Sequence, residues 1–212
     1  MRHPDVGEVP RSPTEIDMAD QIPSPSCSIL LIGGSLRANS VNTAVLQTAR
    51  TLIPANAEAG IYAGLSGLPH FNPDLDRDPL LQAVGRLRAE LRRADAVLFS
   101  TPEYAGSLPG SFKNLLDWTI GGVDGSLYRV PVGWVNPAAH GRAKGAYDAL
   151  HTVLTMAGAD IWPPACIAAP VPRDAIGADG LIADAAITDV IRGAVKALVD
   201  RIAERRRESK AL

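Results

Sequence analysis

The sequence predicts a three-layer α/β domain, in which helices cover both faces of a five-stranded parallel sheet. Short apolar segments of strand length alternate along the chain with longer segments of helical periodicity. That alternation is typical of parallel strands joined by helical crossovers. A loop rich in glycine and polar side chains also follows the first apolar segment directly. In open α/β sheets such a loop lies at the edge where ligands bind.

Composition is that of an ordinary globular protein of one sizeable domain. The 212 residues are 46% apolar and 21% charged, with a formal net charge of −2. This balance does not favour nucleic acid as a partner. No apolar run reaches membrane-spanning length, and no apolar stretch at the N-terminus resembles a secretory signal, so we expect a cytoplasmic protein. Cys27 and Cys166 lie in strand-like surroundings and are expected to be buried core residues, with no metal or redox role.

The first predicted unit is a strand, a tight loop and a helix. Residues 1–26 contain five prolines and few apolar residues, so we expect a disordered N-terminal arm before a domain at 27–208. Four apolar residues at 29–32 run into Gly33 and Gly34, which suits a strand buried on both faces. The two glycines can adopt backbone angles that side chains forbid. Helical spacing then predicts a helix at 43–52.

The loop between this strand and helix has the chemistry of an anion site. Ser35, Arg37, Ser40 and Asn42 follow the glycines, and the next helix would direct its N-terminal N–H groups at the same place. The loop lacks both the Gly-Lys-Ser/Thr of a Walker loop and the spaced glycines of a dinucleotide fingerprint. It therefore predicts a site for one terminal phosphate, and an ordinary polar loop is the alternative.

The middle of the chain continues the alternation. A weak strand signal is followed by a segment rich in proline and aspartate, and then by apolar residues at helical spacing. A fully apolar run ends at Pro102, and Pro109 suits the first turn of the next helix. The predicted elements are a second strand at 57–63, an irregular loop at 65–78, a helix at 79–94, a third strand at 96–101, a loop at 103–108 and a helix from 109 to about 119.

The last third of the chain supplies two more strands. Prolines within the final apolar run confine it to the edge of a sheet. The predicted elements are a fourth strand at 129–136, a loop at 136–145, a helix at 146–157 ended by Gly158, an edge strand at 161–171 and a long helix from 187 to about 207. Five strands with an anion loop after the first fit the flavodoxin-like order 2-1-3-4-5. The loops at 33–42, 102–108 and 136–145 would then meet at the carboxyl ends of the strands.

Two stretches resemble the signatures of the NADPH-dependent FMN reductases. Residues 34–42, Gly-Ser-Leu-Arg-Ala-Asn-Ser-Val-Asn, match G-S-L-R-x-x-S-x-N. Residues 101–118, Thr-Pro-Glu-Tyr-Ala-Gly-Ser-Leu-Pro-Gly-Ser-Phe-Lys-Asn-Leu-Leu-Asp-Trp, resemble T-P-E-Y-N-x-S-x-P-G-x-L-K-N-x-x-D-W. The likeness covers roughly residues 28–200 and is weakest after Asn136. Members of the family reduce flavins, quinones, azo dyes or chromate.

The resemblance implies an oxidoreductase that binds FMN. NADPH, or NADH, would give hydride to flavin N5, and the flavin would reduce a small acceptor such as a flavin, a quinone, an azo compound or a metal oxyanion. It also implies a homodimer or homotetramer formed through the helix after the 102–108 loop. The implied FMN contacts divide into a phosphate group and a ring group. The full set is Ser35, Arg37, Ser40, Val41, Asn42, Pro102, Glu103, Tyr104, Ala105, Ser107, Asn136 and His140.

The sequence departs from the family at two places. Ala105 stands where the family usually has asparagine, so a side-chain contact to the flavin would be lost there. The third loop carries His140, Arg142 and Lys144 where small residues and glycines are common. These side chains would either change how the ring edge is met or bind the phosphates of a nicotinamide dinucleotide.

No side chain is expected to act as a catalytic acid or base, since the flavin carries the chemistry. Glu103 can be interpreted as a base, but a helix cap or an ion pair is an equal alternative, and Ser107 can likewise cap the helix that begins near Pro109. The tryptophans are expected in the core or at an interface. A flavodoxin-like electron carrier and a non-enzymatic flavin-binding regulator are the competing functions.

Overall fold

The computed structural model describes residues 27–120, 125–139 and 142–210. The predicted N-terminal arm at 1–26 and the predicted site residue His140 lie outside this part of the chain. The described residues form one five-stranded parallel sheet in the order β2-β1-β3-β4-β5, which confirms the predicted fold and strand order. The strands are β1 Cys27–Gly33, β2 Ala57–Ile61, β3 Ala96–Ser100, β4 Pro131–Asn136 and β5 Asp160–Ala168.

Position in the sheet explains how clearly each strand appears in the sequence. All five residues of the central strand β3 are buried, so that strand is a continuous apolar run. The edge strand β2 alternates between partly buried and exposed residues, which accounts for its weak signal. The proline-bearing strand β5 lies at the other edge, as predicted. Gly133 of β4 lets β5 come close, because a Cβ at that position would lie 2.5 Å from the Ala165 Cβ.

Two apolar layers separate the sheet from the helices. One face carries α1 and α5, whose Val45, Leu46 and Leu198 belong to the core on that side. The other face carries α2, α3 and α4 around a second core. The helices are α1 Val41–Thr51, α2 Gln82–Arg93, α3 Gly110–Ile120, α4 Lys144–Met156 and α5 Ala185–Lys210. Both α1 and α4 begin two residues earlier than predicted, because capping groups extend their first turns, as described below.

The predicted irregular loop at 65–78 is anchored on α3. The Asn114 side chain accepts a hydrogen bond from the Phe71 N–H at 2.7 Å and donates to the Pro69 carbonyl at 2.8 Å. The Trp118 Nε1–H donates to the same carbonyl at 2.8 Å, and its ring meets the Phe71 ring edge-on at 4.9 Å. Trp118 is fully buried within its own chain, so of the two predicted positions, core or interface, it occupies the core. The Asn and Trp of the second signature therefore stabilise a loop of the same chain.

Candidate active site

Two neighbouring clefts lie at the carboxyl ends of the strands. The larger cleft, of about 810 Å³, is lined by Val41, Asn42, Thr101–Glu103, Pro137–Ala139, Arg142–Gly145 and Val171–Arg173. The smaller cleft, of about 580 Å³, is lined by Arg37–Val41, Thr43, Ala44, Gln47, Arg173, Ile176–Ala178 and Gly180. Val41 and Arg173 line both clefts, so the two spaces share a border. The larger cleft joins the three loops that the sequence predicts to meet.

The loop after β1 leads directly into a capped helix. Ser40 is the N-cap of α1, and its Oγ accepts a hydrogen bond from the Asn42 N–H at 3.2 Å. Ser35 Oγ accepts from the Arg37 N–H at 3.2 Å in the same way. The first turn of α1 contains no acidic residue. Its remaining N–H groups have no acceptor within the helix, so they are available to an anion.

Gly34 serves close packing, and the conformational freedom that the sequence offers at Gly33 and Gly34 is not used. Neither residue has a left-handed φ. The Gly34 N–H donates to the Ser100 carbonyl at 2.9 Å, and a Cβ on Gly34 would lie 2.1 Å from Thr101 Oγ1. A side chain at position 34 would therefore push the ends of β1 and β3 apart.

A buried polar network lies beneath the larger cleft. Asn42 is only 6% exposed, and its Oδ1 lies 2.9 Å from Ser100 Oγ, which is equally close to the Val135 carbonyl. The Tyr147 hydroxyl lies 2.8 Å from the Val135 carbonyl and 3.1 Å from the Thr101 carbonyl. The network ties α1, β3, β4 and α4 together where the loops meet. Burial raises the pKa of the Tyr147 hydroxyl well above its ordinary value, so the group is a neutral donor.

We expect Tyr147→Phe to lower the free energy of unfolding by about 1–3 kcal/mol near neutral pH, because buried carbonyls lose their donor. The raised pKa also means that the folded state holds this proton more tightly than the unfolded state. That contribution is complete below the ordinary tyrosine pKa of 10.0 and is lost as the pH rises above it. Urea denaturation between neutral and alkaline pH measures both effects.

Tyr128→Phe is the matched control, because the Tyr128 side chain is 60% exposed and the hydroxyl has no hydrogen bond to a described residue. Tyr147→Phe should show a smaller alkaline loss of stability than the wild type, whereas Tyr128→Phe should follow the wild type. Equal alkaline losses in all three proteins would contradict the role given to Tyr147.

Glu103 caps a helix. Its Oε2 accepts a hydrogen bond from the Ala146 N–H at 2.9 Å, in the first turn of α4. The N-cap residue Ala143 has a left-handed φ of 60° and no side-chain cap of its own, so the carboxylate from the neighbouring loop takes that role. The backbones of Gly145 and Gly106 also approach each other closely, since a Cβ on Gly145 would lie 2.1 Å from the Gly106 carbonyl oxygen. The capping interpretation of Glu103 is thus the one that the structure supports.

Residues 104–107 form a two-residue hairpin beside the larger cleft. The backbones of Tyr104 and Ser107 exchange hydrogen bonds of 3.0 and 3.1 Å. Ala105 and Gly106 have φ values of 50° and 77°, as a type I′ turn requires. The Ser107 side chain has no hydrogen bond to a described residue, so the alternative role of Ser107 as a cap on α3 is not observed. Asparagine, which the family usually has at position 105, tolerates this backbone better than alanine.

We therefore expect Ala105→Asn to raise the free energy of unfolding by about 0.5–1 kcal/mol, because asparagine adopts left-handed backbone at lower cost. Ala63→Asn is the control, since Ala63 is exposed in a loop and has no positive φ. Chemical denaturation measures both variants. A stability gain that is equal at the two positions would show that the turn conformation is not its cause.

The loop after β4 is braced by Asn136. The Asn136 Oδ1 accepts from the Ala138 N–H at 3.0 Å, and its Nδ2 donates to the Arg142 carbonyl at 3.3 Å. Arg142 and Lys144, at the end of this loop, line the larger cleft. Lys144 also pairs with Asp148 one turn along α4, whereas the Arg142 guanidinium has no partner among the described residues.

The predicted site residues divide into two groups. Those lining a cleft are Arg37, Ser40, Val41, Asn42, Pro102 and Glu103. Ser35, Tyr104, Ala105, Ser107 and Asn136 lie in the same loops but do not line either cleft. Arg173 and Tyr147 were not predicted as site residues from the sequence. Arg173 lies in the loop after the last strand, and ligands bind at the carboxyl ends of strands in such sheets. The predicted strand extended to residue 171, whereas β5 ends at Ala168, so the loop that carries Arg173 was not recognised.

Other kinds of site find no support in the described residues. Within 27–120, 125–139 and 142–210, no group of three or more His, Cys, Asp or Glu side chains is arranged to hold a metal ion. In the same part of the chain, no helix is long and apolar enough to cross a membrane. Cys27 is buried, and burial raises the pKa of the Cys166 thiol to about 12. Cys27 is therefore buried as predicted, whereas Cys166 is only partly buried, and its raised pKa keeps that thiol protonated at neutral pH.

Comparison with known proteins identifies relatives for most of the chain. A family model described as NADPH-dependent FMN reductase matches residues 27–172. An NAD(P)H-dependent FMN reductase of Pseudomonas aeruginosa is 43% identical over 95 residues, which are 45% of this chain and 51% of that protein. The chain thus spans about half the length of this relative.

Two further relatives are matched over more of their own length. A 2-hydroxy-1,4-benzoquinone reductase of a Burkholderia species is 30% identical over 135 residues, which are 59% of this chain and 73% of that protein. Among solved structures, the flavoenzyme NAD(P)H:(acceptor) oxidoreductase FerB of Paracoccus denitrificans superimposes with a TM-score of 0.68 at 28% identity. That match covers 84% of this chain and 98% of the other.

Proposed function

The chain belongs to the family of NADPH-dependent FMN reductases, and from that premise we propose that it is an FMN-dependent NAD(P)H oxidoreductase that reduces quinones or flavins. The observation that carries the proposal is the larger cleft. Its walls combine Val41 and Asn42 from the first family signature with Thr101, Pro102 and Glu103 from the second. Two stretches that are far apart in sequence thus face one space at the ligand-binding edge of the sheet.

The donor groups around the start of α1 suit the phosphate of FMN. Arg37 offers a planar guanidinium that matches phosphate oxygens, and the α1 N-terminus offers free N–H groups without a competing carboxylate. Arg173 adds a second guanidinium at the border of the two clefts. We propose that Ser35, Arg37, Ser40, Val41 and Asn42 bind the phosphate end, with Ser40 and Ser35 keeping the loop in shape.

The second wall suits the ring end of FMN. Pro102 and Glu103 border the larger cleft, and the hairpin of Tyr104, Ala105 and Ser107 lies beside it. The Glu103 carboxylate is already bonded to the α4 N-terminus. Arg142 then gives the lining a positive charge without a described partner, which favours the negative charge of a reduced flavin. Asn136 supports this side by bracing the loop.

Bound FMN would supply the redox chemistry, which is to accept hydride from a reduced nicotinamide and to pass electrons to an acceptor. This chain's residues hold the phosphate, orient the ring and keep positive charge beside it. Quinone and flavin acceptors have the support of the relatives' names. Azo compounds and metal oxyanions are further acceptors to be assayed, and a cytoplasmic location belongs to the proposal.

A homodimer or homotetramer is also part of the proposal, although α3 contributes less to it than its sequence suggests. Phe112, Leu115, Leu116 and Trp118 are fully buried against the sheet of their own subunit, so an interface would use other residues. Light scattering of the purified protein measures the oligomeric state, and a stable monomer would remove this part of the proposal.

The experiment that tests the function is NADPH oxidation by the purified protein with and without FMN, using a quinone as acceptor. We expect oxidation that depends on FMN and on the quinone. A protein that binds FMN but does not oxidise NADPH or NADH would be an electron carrier or a regulator, and the reductase proposal would be wrong.

A further inference from the structure

The amino end of the sheet, opposite the clefts, carries a row of arginines. In a parallel sheet every strand begins at this end, and the crossover helices finish there. Arg93 is the last residue of α2, and the last two turns of α5 contain Arg205 and Arg206. Arg129 lies just before β4, and the Arg205 guanidinium donates a hydrogen bond to its carbonyl. These four residues, Arg93, Arg129, Arg205 and Arg206, are called the basic strip.

The basic strip borders the point where the chain enters the sheet. The Ser28 hydroxyl donates to the Arg93 carbonyl at 2.7 Å, and the Ser28 N–H donates to Asp95 Oδ2 at 2.8 Å. Arg206 donates to the other oxygen of Asp95 at 2.8 Å. Cys27, the first residue of β1, therefore lies directly beside the strip. The chain that precedes Cys27 leaves the domain from the same place.

Two guanidiniums of the strip keep an uncompensated positive charge. Arg93 and Arg129 are both exposed, and neither side chain forms an ion pair or hydrogen bond with a residue in the described ranges. The nearby carboxylates of Glu204 and Glu208 pair with Arg201 instead, at 2.8 and 3.8 Å. The strip therefore attracts carboxylates from elsewhere.

Three large apolar side chains extend the same surface. Ile120, Tyr128 and Met156 are 47%, 60% and 78% exposed. Tyr128 is adjacent in sequence to Arg129 of the strip, and its ring lies against Gly158, where a Cβ would be 2.7 Å from Tyr128 Cδ2. Met156 is two residues before this glycine, and Ile120 is the last residue of α3. These three side chains are called the apolar patch.

We propose that residues 15–22 of the same chain cover this surface, with their carboxylates on the basic strip and their apolar side chains on the apolar patch. The segment is Glu-Ile-Asp-Met-Ala-Asp-Gln-Ile, which has three acidic residues and no basic one. Residues 1–26 together contain five acidic and two basic side chains, so they complement the positive strip. The occupant is thus an acidic, amphipathic segment, and its docking does not depend on the flavin site at the other end of the sheet.

The length of the connection suits this placement. Asp20 precedes Cys27 by seven residues, which span at most about 25 Å when extended, and a compact domain of this size has a radius of about 20 Å. Asp20 can therefore reach Arg93, beside the entry point, while residues 15–18 continue toward Arg129 and the apolar patch. A tethered segment is also present at high effective concentration, which favours it over a second copy of the chain.

The test is ¹⁵N relaxation NMR of the full-length protein, which measures a backbone order parameter at each residue. We expect values above about 0.7 at residues 15–22 and below about 0.6 at residues 1–11. The variant Arg93→Gln/Arg129→Gln should lower the values at 15–22 below about 0.6, and so should Glu15→Gln/Asp17→Asn/Asp20→Asn. Met156→Ser should lower them most at residues 16–18. The amide spectrum of residues 27–210 reports whether each variant keeps its fold.

Arg192→Gln is the matched control, because Arg192 is also an exposed arginine of α5. It lies about 21 Å along the helix from Arg206, toward the other end of the sheet. Its order parameters should equal those of the wild type.

Three results would overturn the inference. Order parameters at 15–22 as low as those at 1–11 would show that the segment does not dock. Ordered residues that neither charge variant loosens would place the segment away from the basic strip. Order that is lost on tenfold dilution would show that a second copy holds the segment, so the assignment to its own chain would be wrong.

Discussion

Arg37→Ala is expected to weaken FMN binding by about 10- to 100-fold while leaving riboflavin binding nearly unchanged. The proposed contact is a charge-assisted pair between the guanidinium and the FMN phosphate, and hydrogen bonds to charged groups contribute about 1.5–3 kcal/mol. Riboflavin has no phosphate, so its binding affinity does not depend on this contact. Fluorescence titration with each flavin measures the two dissociation constants.

Arg50→Ala controls for the loss of one positive charge on the same helix, because Arg50 is exposed and lines neither cleft. Its FMN affinity should stay within about twofold of the wild type at moderate salt, where exposed charges are screened. An equal loss of affinity for FMN and riboflavin in Arg37→Ala would contradict the phosphate assignment and leave Arg37 a general structural role.

Gly145→Ala is expected to lower the free energy of unfolding by about 1–3 kcal/mol and to weaken FMN binding as well. The added Cβ would lie 2.1 Å from the Gly106 carbonyl oxygen and 3.0 Å from Glu103 Oε2. Since the first contact is with backbone, the α4 N-terminus and the 104–107 hairpin must move apart. That movement would disturb the Glu103 cap and open the larger cleft.

Urea denaturation without flavin and FMN titration measure the two effects separately. Gly193→Ala is the matched control, because Gly193 lies inside α5 with no atom within 4 Å of an added Cβ. Alanine there should be neutral or stabilising by up to about 1 kcal/mol. A Gly145→Ala protein as stable as the wild type, with unchanged FMN affinity, would show that this close approach does not shape the cleft.

Local patterns predicted the fold well because each main element carries its own signal. The buried strand β3 is a continuous apolar run, and the edge position of β5 follows from its prolines. The loop after β1 was also visible from its glycines and polar side chains, and its role in binding an anion stays a prediction. Helix starts were less accurate, since α1 and α4 each begin two residues before their predicted starts. At α4 no local pattern could show this, because the cap comes from Glu103, 43 residues earlier in the chain.

The rest of the candidate site depends on contacts that no local pattern encodes. Gly34 was correctly chosen as important but for the wrong reason, because its constraint is Thr101 on another strand. Asn114 and Trp118 belong to the second family signature, but only the structure shows that they stabilise the 65–78 loop, through hydrogen bonds to the Pro69 carbonyl. Arg173 comes from the loop after β5, which the sequence did not single out, and it joins the site through folding alone.

The most direct test of the account is anaerobic addition of NADPH to the protein after it has been loaded with one equivalent of FMN. We expect the visible absorption of the oxidised flavin to disappear at once, and to return when a quinone is added. A protein that holds FMN tightly but keeps the oxidised spectrum with both NADPH and NADH would contradict the central claim that this chain is an NAD(P)H-dependent FMN oxidoreductase.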